Sequence, residues 1–220
     1  MNPTAAATLA RFDGESRGTR LHTRVRWRSC PFEAVAETIP KSGRILEIGC
    51  GHGLFSTYLA LESADRRVLG IDVDGNKIRA AQRAAEGLGN LTFRAHDPGV
   101  FPEGPWDAVA IVDVLYLIDR EGERGLLTTA AQQLAPRAVL AVKEMATRPR
   151  WKFRWMAVQE RLSVQVLKIT DGHDLTFVPP EELATWMGEA GLTEIEHRSL
   201  DGGHLHPHHL VTARKPSAPG

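Results

Sequence analysis

The stretch RILEIGCGHGLF, residues 44–55, decides the fold of this chain. Its first half is a short apolar run of the kind that a buried parallel strand needs. Gly49, Gly51 and Gly53 follow, and glycine lets a backbone turn sharply and approach a ligand without a Cβ in the way. Apolar residues then recur at helical spacing. The stretch therefore predicts a strand, a glycine turn and a helix whose first backbone N–H groups face a ligand.

Strand and helix patterns alternate along the chain after this turn. Short apolar runs predict further strands at 67–72, 91–95, 106–113 and 138–142. Helical patterns separate most of them, one beginning at an N-cap residue near 74 and another covering 121–134. Alternation of this kind predicts a parallel sheet with right-handed crossovers.

The last third of the chain departs from this alternation. Tryptophan and aliphatic residues at steps of three and four predict a long helix, with a basic edge, over 150–168. A second helix is predicted between Pro179 and Gly191. Two strand patterns, at 193–200 and 209–213, then indicate an antiparallel pair.

Composition bounds the class of protein. A length of 220 residues fits one domain with a substantial core. Lys+Arg and Asp+Glu both total 27, so no net field favours nucleic acid or an acidic partner. Two cysteines cannot form a disulfide framework, and we find neither a secretory leader nor an apolar run of membrane-spanning length. We therefore expect a cytoplasmic protein.

The N-terminal segment, residues 1–40, is basic. Five arginines lie between residues 17 and 28. One interpretation is a solvated, loosely packed segment. The other is a lid whose cations face an anionic group of a cofactor or substrate.

The glycine turn also contains a family motif. With the acid that precedes it, it reads Glu47-x-Gly49-x-Gly51-x-Gly53, which resembles motif I of the class I S-adenosylmethionine-dependent methyltransferases. The dinucleotide pattern Gly-x-Gly-x-x-Gly would instead place its third glycine at Leu54. The motif therefore favours the methyltransferases over nicotinamide or flavin enzymes.

Two acids and the closing strand pair agree with this resemblance. Asp72 ends the second predicted strand, where a ribose-binding acid is expected, and Asp97 ends the third. The resemblance covers 41–215, with 146–176 as an inserted cap on the acceptor side, and leaves 216–220 as a disordered tail. It implies a Rossmann-like α/β fold with a seven-stranded, mostly parallel sheet in the order 3-2-1-4-5-7-6. The last strand would be antiparallel, with helices on both faces.

The resemblance also implies roles for individual residues around S-adenosylmethionine. A carboxylate such as Asp72 can accept from both ribose hydroxyls, Asp97 would meet the adenine amino group, and Val73 would pack on the ring. Glu47 would support the turn and the amino end of the cofactor, and carbonyls of the turn and near Asp113 would accept from its ammonium group. The predicted cofactor-binding residues are Glu47, Gly49, Cys50, Gly51, Gly53, Asp72, Val73, Asp97, Pro98 and Asp113.

Methyl transfer is an in-line displacement at an activated sulfonium, so it needs correct orientation and, for a hydroxyl acceptor, a general base. We predict His173 and Tyr116 as the catalytic residues, and His22 and Glu144 are further candidates for the base. Histidines that alternate between 204 and 209 could suggest a metal, but no cysteine or carboxylate completes a ligand set. We therefore expect no metal site.

The acceptor is narrowed by exclusion. The sequence after Asp113 is Val-Leu-Tyr, which lacks the Asn/Asp-Pro-Pro-aromatic signature of methyltransferases acting on nucleobase or glutamine amines. The family resemblance then implies a small, partly apolar acceptor of the natural-product, polyketide or lipid type, methylated on a hydroxyl or carboxyl oxygen. Residues 148–168 could make weak contact with a membrane surface or a carrier, and a homodimer stays open.

Other functions stay open from the sequence. An RNA or protein methyltransferase would bring the two arginine-rich regions, 17–28 and 148–154, into one basic patch. A regulatory protein could bind S-adenosylmethionine without catalysis. A nicotinamide-dependent oxidoreductase is disfavoured by Leu54 and by the closing strand pair.

Overall fold

The computed structural model describes residues 2–97, 100–145, 178–200 and 208–217. The strands are β1 (Gly43–Ile48), β2 (Arg66–Asp72), β3 (Leu91–Ala95), β4 (Trp106–Val112), β5 (Leu134–Met145), β6 (Thr193–Ser199) and β7 (His208–Arg214). The helices are α1 (Pro3–Ala10), α2 (Arg17–Ser29), α3 (Phe32–Ala36), α4 (Leu54–Glu62), α5 (Gly75–Ala84), α6 (Arg120–Gln132) and α7 (Pro180–Glu189). A 3-10 turn spans Leu115–Leu117.

The strands form one sheet in the order β3-β2-β1-β4-β5-β7-β6. β7 runs antiparallel to both β5 and β6, and the other pairs are parallel. Side chains of α1 to α5 pack on one face of the sheet, and those of α6 and α7 pack on the other. The predicted fold class, strand order and antiparallel last strand are confirmed.

The sheet has a topological switch point between β1 and β4. The chain moves outward from β1 to β2 and β3, then returns to the other side of β1 through β4. In open α/β sheets, ligands bind outside the carboxyl ends of the strands at this point. The glycine turn after β1 lies at this point, so the candidate ligand site is at the carboxyl edge of the sheet.

β5 is longer than its apolar pattern predicts. It starts at Leu134, ahead of Pro136, although we predicted a strand only from residue 138. The register with β4 shifts between Leu134 and Val139, so Pro136 lies in an irregular part of the ladder. A proline has no backbone N–H to donate and is tolerated where the ladder is interrupted.

The N-terminal segment is helical and packed. Phe12 is buried, and the ring of Trp27 on α2 lies 5.1 Å from that of Tyr58 on α4, measured between ring centroids. The ring of Trp27 also lies 5.4 Å from that of Phe32. Residues 17–29 therefore form a helix fixed by its aromatic side rather than a loosely packed segment.

Several predicted features lie outside the described residues. They are the long helix over 150–168, Pro98, His173, the connection at 201–207 and residues 218–220 of the predicted tail. In the part of the chain that the structure does describe, no helix is both long enough and apolar enough to cross a membrane.

Candidate functional site

The glycine turn joins β1 to α4 through three left-handed residues. Gly49, Gly51 and Gly53 have φ values of 71°, 54° and 79°. A Cβ on Gly49 would lie 2.4 Å from Cγ2 of Val114, and one on Gly53 would lie 2.3 Å from Cζ of Phe93. A Cβ on Gly51 would meet no atom of the described residues within 4 Å. Packing therefore fixes the outer glycines, while the middle one borders open space that a ligand can occupy.

Glu47, on β1, joins the strand before this turn to the helix that follows it. Its side chain is buried, and Oε2 accepts the Ser56 backbone N–H at 2.9 Å together with the Ser56 hydroxyl. Ser56 belongs to the first turn of α4, whose N-cap residue, Gly53, has no side chain to do this. Burial raises the pKa of Glu47 to about 7, although the bonds from Ser56 oppose the rise. Glu47 thus caps α4, and its contact with the amino end of a cofactor stays a prediction.

Asp72 ties the turn to the end of β2. Its Oδ2 accepts the backbone N–H of Gly51 at 2.7 Å, and its Oδ1 accepts that of Asp74 at 2.8 Å. Asp74 caps α5 in turn, accepting from the N–H of Asn76 at 2.9 Å. The next residue, Val73, is 58% exposed although it is apolar. The fixed carboxylate of Asp72 suits the two hydroxyls of a ribose, to which it can act as acceptor. The exposed side chain of Val73 beside it suits the apolar face of an attached base.

Asp97 lies at the end of the neighbouring strand. Ala95 is in register with Asp72, and the N–H of His96 donates to the Asp72 carbonyl at 3.0 Å. Asp97 is exposed. The structure therefore brings the two predicted acids to the same edge of the sheet.

A charge cluster, made of the buried Asp113, Lys143 and Glu144 and the half-buried Arg26, lies on the other side of the switch point. Asp113 follows β4 in a left-handed conformation, with φ 56°. Nζ of Lys143 donates to both of its carboxylate oxygens at 2.7 Å, and Arg26 of α2 lies 2.6 Å from Oδ2. Burial opposes ionisation, yet Lys143 and Arg26 hold the pKa of Asp113 well below its usual range.

Glu144 completes the cluster through backbone donors. Its Oε1 accepts the N–H groups of Val114 and Leu115 at 3.0 and 2.9 Å. Burial, and then the charge of Asp113, raise the pKa of Glu144 to about 8. The strand pattern did not indicate this cluster; its one local signal is the Lys-Glu pair directly after the apolar run of β5, which does not show what the two charges meet.

The helix α2 lies against both the glycine turn and the charge cluster, which are the two halves of the site. The ring of His22 lies 5.0 Å from that of His52 in the glycine turn, between centroids, while Arg26 reaches the charge cluster. Tyr116, in the 3-10 turn just after Asp113, is half-buried and interacts electrostatically with Arg26. The structure thus places Tyr116 at the site, whereas the other predicted catalytic residue, His173, lies outside the described residues.

Two other features give no competing site. A concave region of ≈ 770 Å³ lies between α6 and α7, and Arg120, Arg124 and Trp186 are among its lining residues. Arg120 pairs with Glu182 at 3.0 Å and Arg124 with Glu189 at 2.7 Å, and none of the described residues that line the region belongs to the glycine turn. Within the described ranges, no group of three or more His, Cys, Asp and Glu side chains could hold a metal ion.

The sheet order, the glycine turn and the acids at the ends of β2 and β3 define the class of Rossmann-like methyltransferases. A family described as "Methyltransferase domain" matches residues 22–197, and the chain belongs to this family. Methyltransferases with this domain use S-adenosylmethionine as the methyl donor, so the chain carries an S-adenosylmethionine-dependent methyltransferase domain.

Among curated proteins, the chain is similar to the ubiquinone biosynthesis O-methyltransferase of Xylella fastidiosa (strain 9a5c). The two are 28% identical over 166 residues, which are 73% of this chain and 65% of the relative. The chain thus spans slightly less than two thirds of the length of this relative.

Solved structures extend the similarity to most of the chain. An O-methyltransferase family protein from Burkholderia thailandensis matches with a TM-score of 0.68 and 17% identity, over 92% of this chain and 62% of that one. The N-methyltransferase NodS from Bradyrhizobium japonicum WM9, in complex with S-adenosyl-L-homocysteine, matches with a TM-score of 0.62 and 22% identity, over 98% and 100%. At these identities the similarities establish the fold alone.

We predict that Arg26→Met lowers the free energy of unfolding by about 1.5–3 kcal/mol, because it removes a buried, charge-assisted bond to Asp113. Arg24→Met is the matched control on the same helix. Arg24 pairs with Asp13 at 3.1 Å on the surface, and such a pair contributes less than about 1 kcal/mol. Urea unfolding of both variants checks this, and equal losses would show that the Arg26 ion pair is not stabilising.

Proposed function

We propose that the protein transfers the methyl group of S-adenosylmethionine to an oxygen, either hydroxyl or carboxyl, of a small and partly apolar acceptor. The observation that carries the cofactor half of the proposal is the Asp72 carboxylate, which fixes the glycine turn beside open space at Gly51. Oxygen, as the atom that receives the methyl group, is favoured by similarity to an O-methyltransferase of Xylella fastidiosa.

The proposed cofactor contacts follow from these positions. Backbone groups from Gly49 to Gly53 surround the amino acid end, and Asp72 accepts from the ribose hydroxyls. Val73 packs on the adenine, with Asp97 at its amino group, while Pro98 stays a prediction from the sequence. The Asp113 carboxylate already pairs with Lys143 and Arg26, so its backbone carbonyl is the group that would accept from the ammonium.

The chemistry asks little of the protein beyond orientation. Bound S-adenosylmethionine supplies a methyl group that its positive sulfur already activates, so no metal is required. Holding an acceptor in line with that methyl group can contribute about 7–11 kcal/mol to lowering the barrier. Tyr116 lies where it could position an acceptor, and His173 remains our prediction for a second catalytic residue.

Apolar side chains near the site support a partly apolar acceptor. Leu21 and Val25 on α2 are 65% and 56% exposed, and Leu117 after β4 is 53% exposed. Residues 1–40 would then act as a lid over cofactor and acceptor, with 41–215 as the methyltransferase domain. The formal net charge of +0 gives no general attraction for nucleic acid.

The first test is to incubate the protein with methyl-labelled S-adenosylmethionine and a cell extract, followed by mass spectrometry of labelled products. We expect one small compound that carries the label on oxygen. Label in bulk tRNA or in protein would contradict the acceptor class. Binding of the cofactor without any labelled product would indicate a regulatory protein instead.

The cofactor contacts predict that replacing Asp72 weakens ligand binding, whereas replacing the nearby Asp74 does not. Asp72→Ala should raise the dissociation constant for S-adenosyl-L-homocysteine at least about 100-fold, since each bond to a charged group contributes about 1.5–3 kcal/mol. Asp74→Ala loses the N-cap of α5, which costs about 1 kcal/mol of stability, but should leave binding within about twofold. Calorimetric titration measures both, with circular dichroism as the check on folding. Unchanged affinity in Asp72→Ala would exclude this site.

A further inference from the structure

Two buried polar side chains lie opposite each other in the β5–β7 pair, at the end of β5 that carries the charge cluster. Glu144 on β5 is in register with His209 on β7, and both are buried. Residues directly opposite in an antiparallel pair have their side chains on the same face of the sheet. Lys143, the preceding residue, points to the opposite face and reaches Asp113.

Each of these side chains has one atom with an unmet hydrogen bond. Glu144 uses Oε1 for the N–H groups of Val114 and Leu115, but neither its Oε2 nor Nε2 of His209 has a partner among the described residues. Buried polar atoms are nearly always paired, so two unmet atoms on one face call for an explanation. A hydroxyl group would satisfy both atoms, because it donates one hydrogen bond and accepts others.

We propose that Glu144 and His209 form a hydroxyl subsite, in which Glu144 is the general base and His209 positions the acceptor oxygen. This inference rests on the proposed function and sharpens its acceptor. As the oxygen bonds to the methyl carbon, its O–H bond breaks and the proton passes to Oε2 of Glu144. The C–S bond breaks at the same time, and its electron pair stays on sulfur, which becomes a neutral thioether.

The charges around the pair suit this proton transfer. Asp113 and Lys143 act electrostatically on Glu144, and together with His197 of β6 and Glu181 of α7 they also act on His209. Burial, and then the neighbouring His197, lower the pKa of His209 to about 4, so this ring is neutral near pH 7. Glu144, with a pKa of about 8, can gain and release a proton near neutral pH.

The subsite narrows the class of acceptor. A carboxylate is already ionised near pH 7 and needs no base, so Glu144 would have no function in its methylation. A weakly acidic hydroxyl, such as a phenol with a pKa of about 10, benefits most from a base in this range. The structure therefore favours a phenolic or enolic oxygen over a carboxyl oxygen.

The test compares 4-butylphenol with octanoate as methyl acceptors for the wild type and Glu144→Gln. The amide keeps an oxygen for the Val114 and Leu115 N–H groups, so the variant should fold and bind S-adenosyl-L-homocysteine normally. We expect its kcat with 4-butylphenol to fall about 10²–10⁴-fold, and the rise in wild-type kcat between pH 7 and 9 to disappear. His209→Ala should raise KM more than it lowers kcat, with partial recovery in His209→Gln.

Glu196→Gln is the control, because Glu196 is an exposed acid on the neighbouring strand β6 and should leave both rates unchanged. Equal kcat values for the wild type and Glu144→Gln, or turnover of octanoate but not of 4-butylphenol, would overturn the hydroxyl subsite while leaving the proposed function intact. Failure of the wild type to methylate either probe or any extract component would instead refute the proposed function, and the subsite with it.

Discussion

The buried ion pair between Asp113 and Lys143 is the interaction on which the rest of the site depends. It joins the ends of β4 and β5, and it holds Asp113 in a left-handed conformation that residues other than glycine rarely adopt. Two buried charges are stable only when they are well paired, and here Arg26 supplies a third partner from α2. The carboxylate of Asp113 therefore shapes the loop after β4 and, through Arg26, holds α2 over the carboxyl edge of the sheet.

The two halves of the site use carboxyl groups in different ways. On the cofactor half, Glu47 and Asp72 are already bonded to backbone N–H groups of α4 and of the turn, so the turn is preorganised before any ligand binds. On the other half, around the charge cluster, Glu144 satisfies one oxygen and leaves the other without a partner among the described residues. The glycine turn is therefore fixed before a ligand binds, whereas the charge cluster keeps one unmet hydrogen-bonding atom, which the proposed hydroxyl subsite would use.

The strands and the glycine turn were predictable from sequence because their signals are local, whereas the order of the strands in the sheet came from the family resemblance. An apolar run, three glycines and an acid at the end of the next strand lie within about thirty residues, from residue 44 to 72. The charge cluster was not predictable in this way, since Arg26 and Lys143 meet Asp113 only through the packing of α2 and the pairing of β4 with β5. The pairing of Glu144 with His209 depends on how β5 aligns with β7, and two strands so far apart in the chain do not show from sequence which of their residues lie opposite each other. We did not predict the early start of β5, because a proline such as Pro136 usually marks the end of a strand. Here it lies where the pairing of β4 with β5 is irregular.

Hydrogen–deuterium exchange with and without S-adenosyl-L-homocysteine tests whether the ligand binds at the carboxyl edge of the sheet beneath α2. Exchange reports local opening, and a bound ligand slows it where it makes contacts. We expect slower exchange in residues 49–54, at 72–75 and along α2, with little change in the edge strand β6. Protection confined to α6 and α7, or none in the glycine turn, would contradict it.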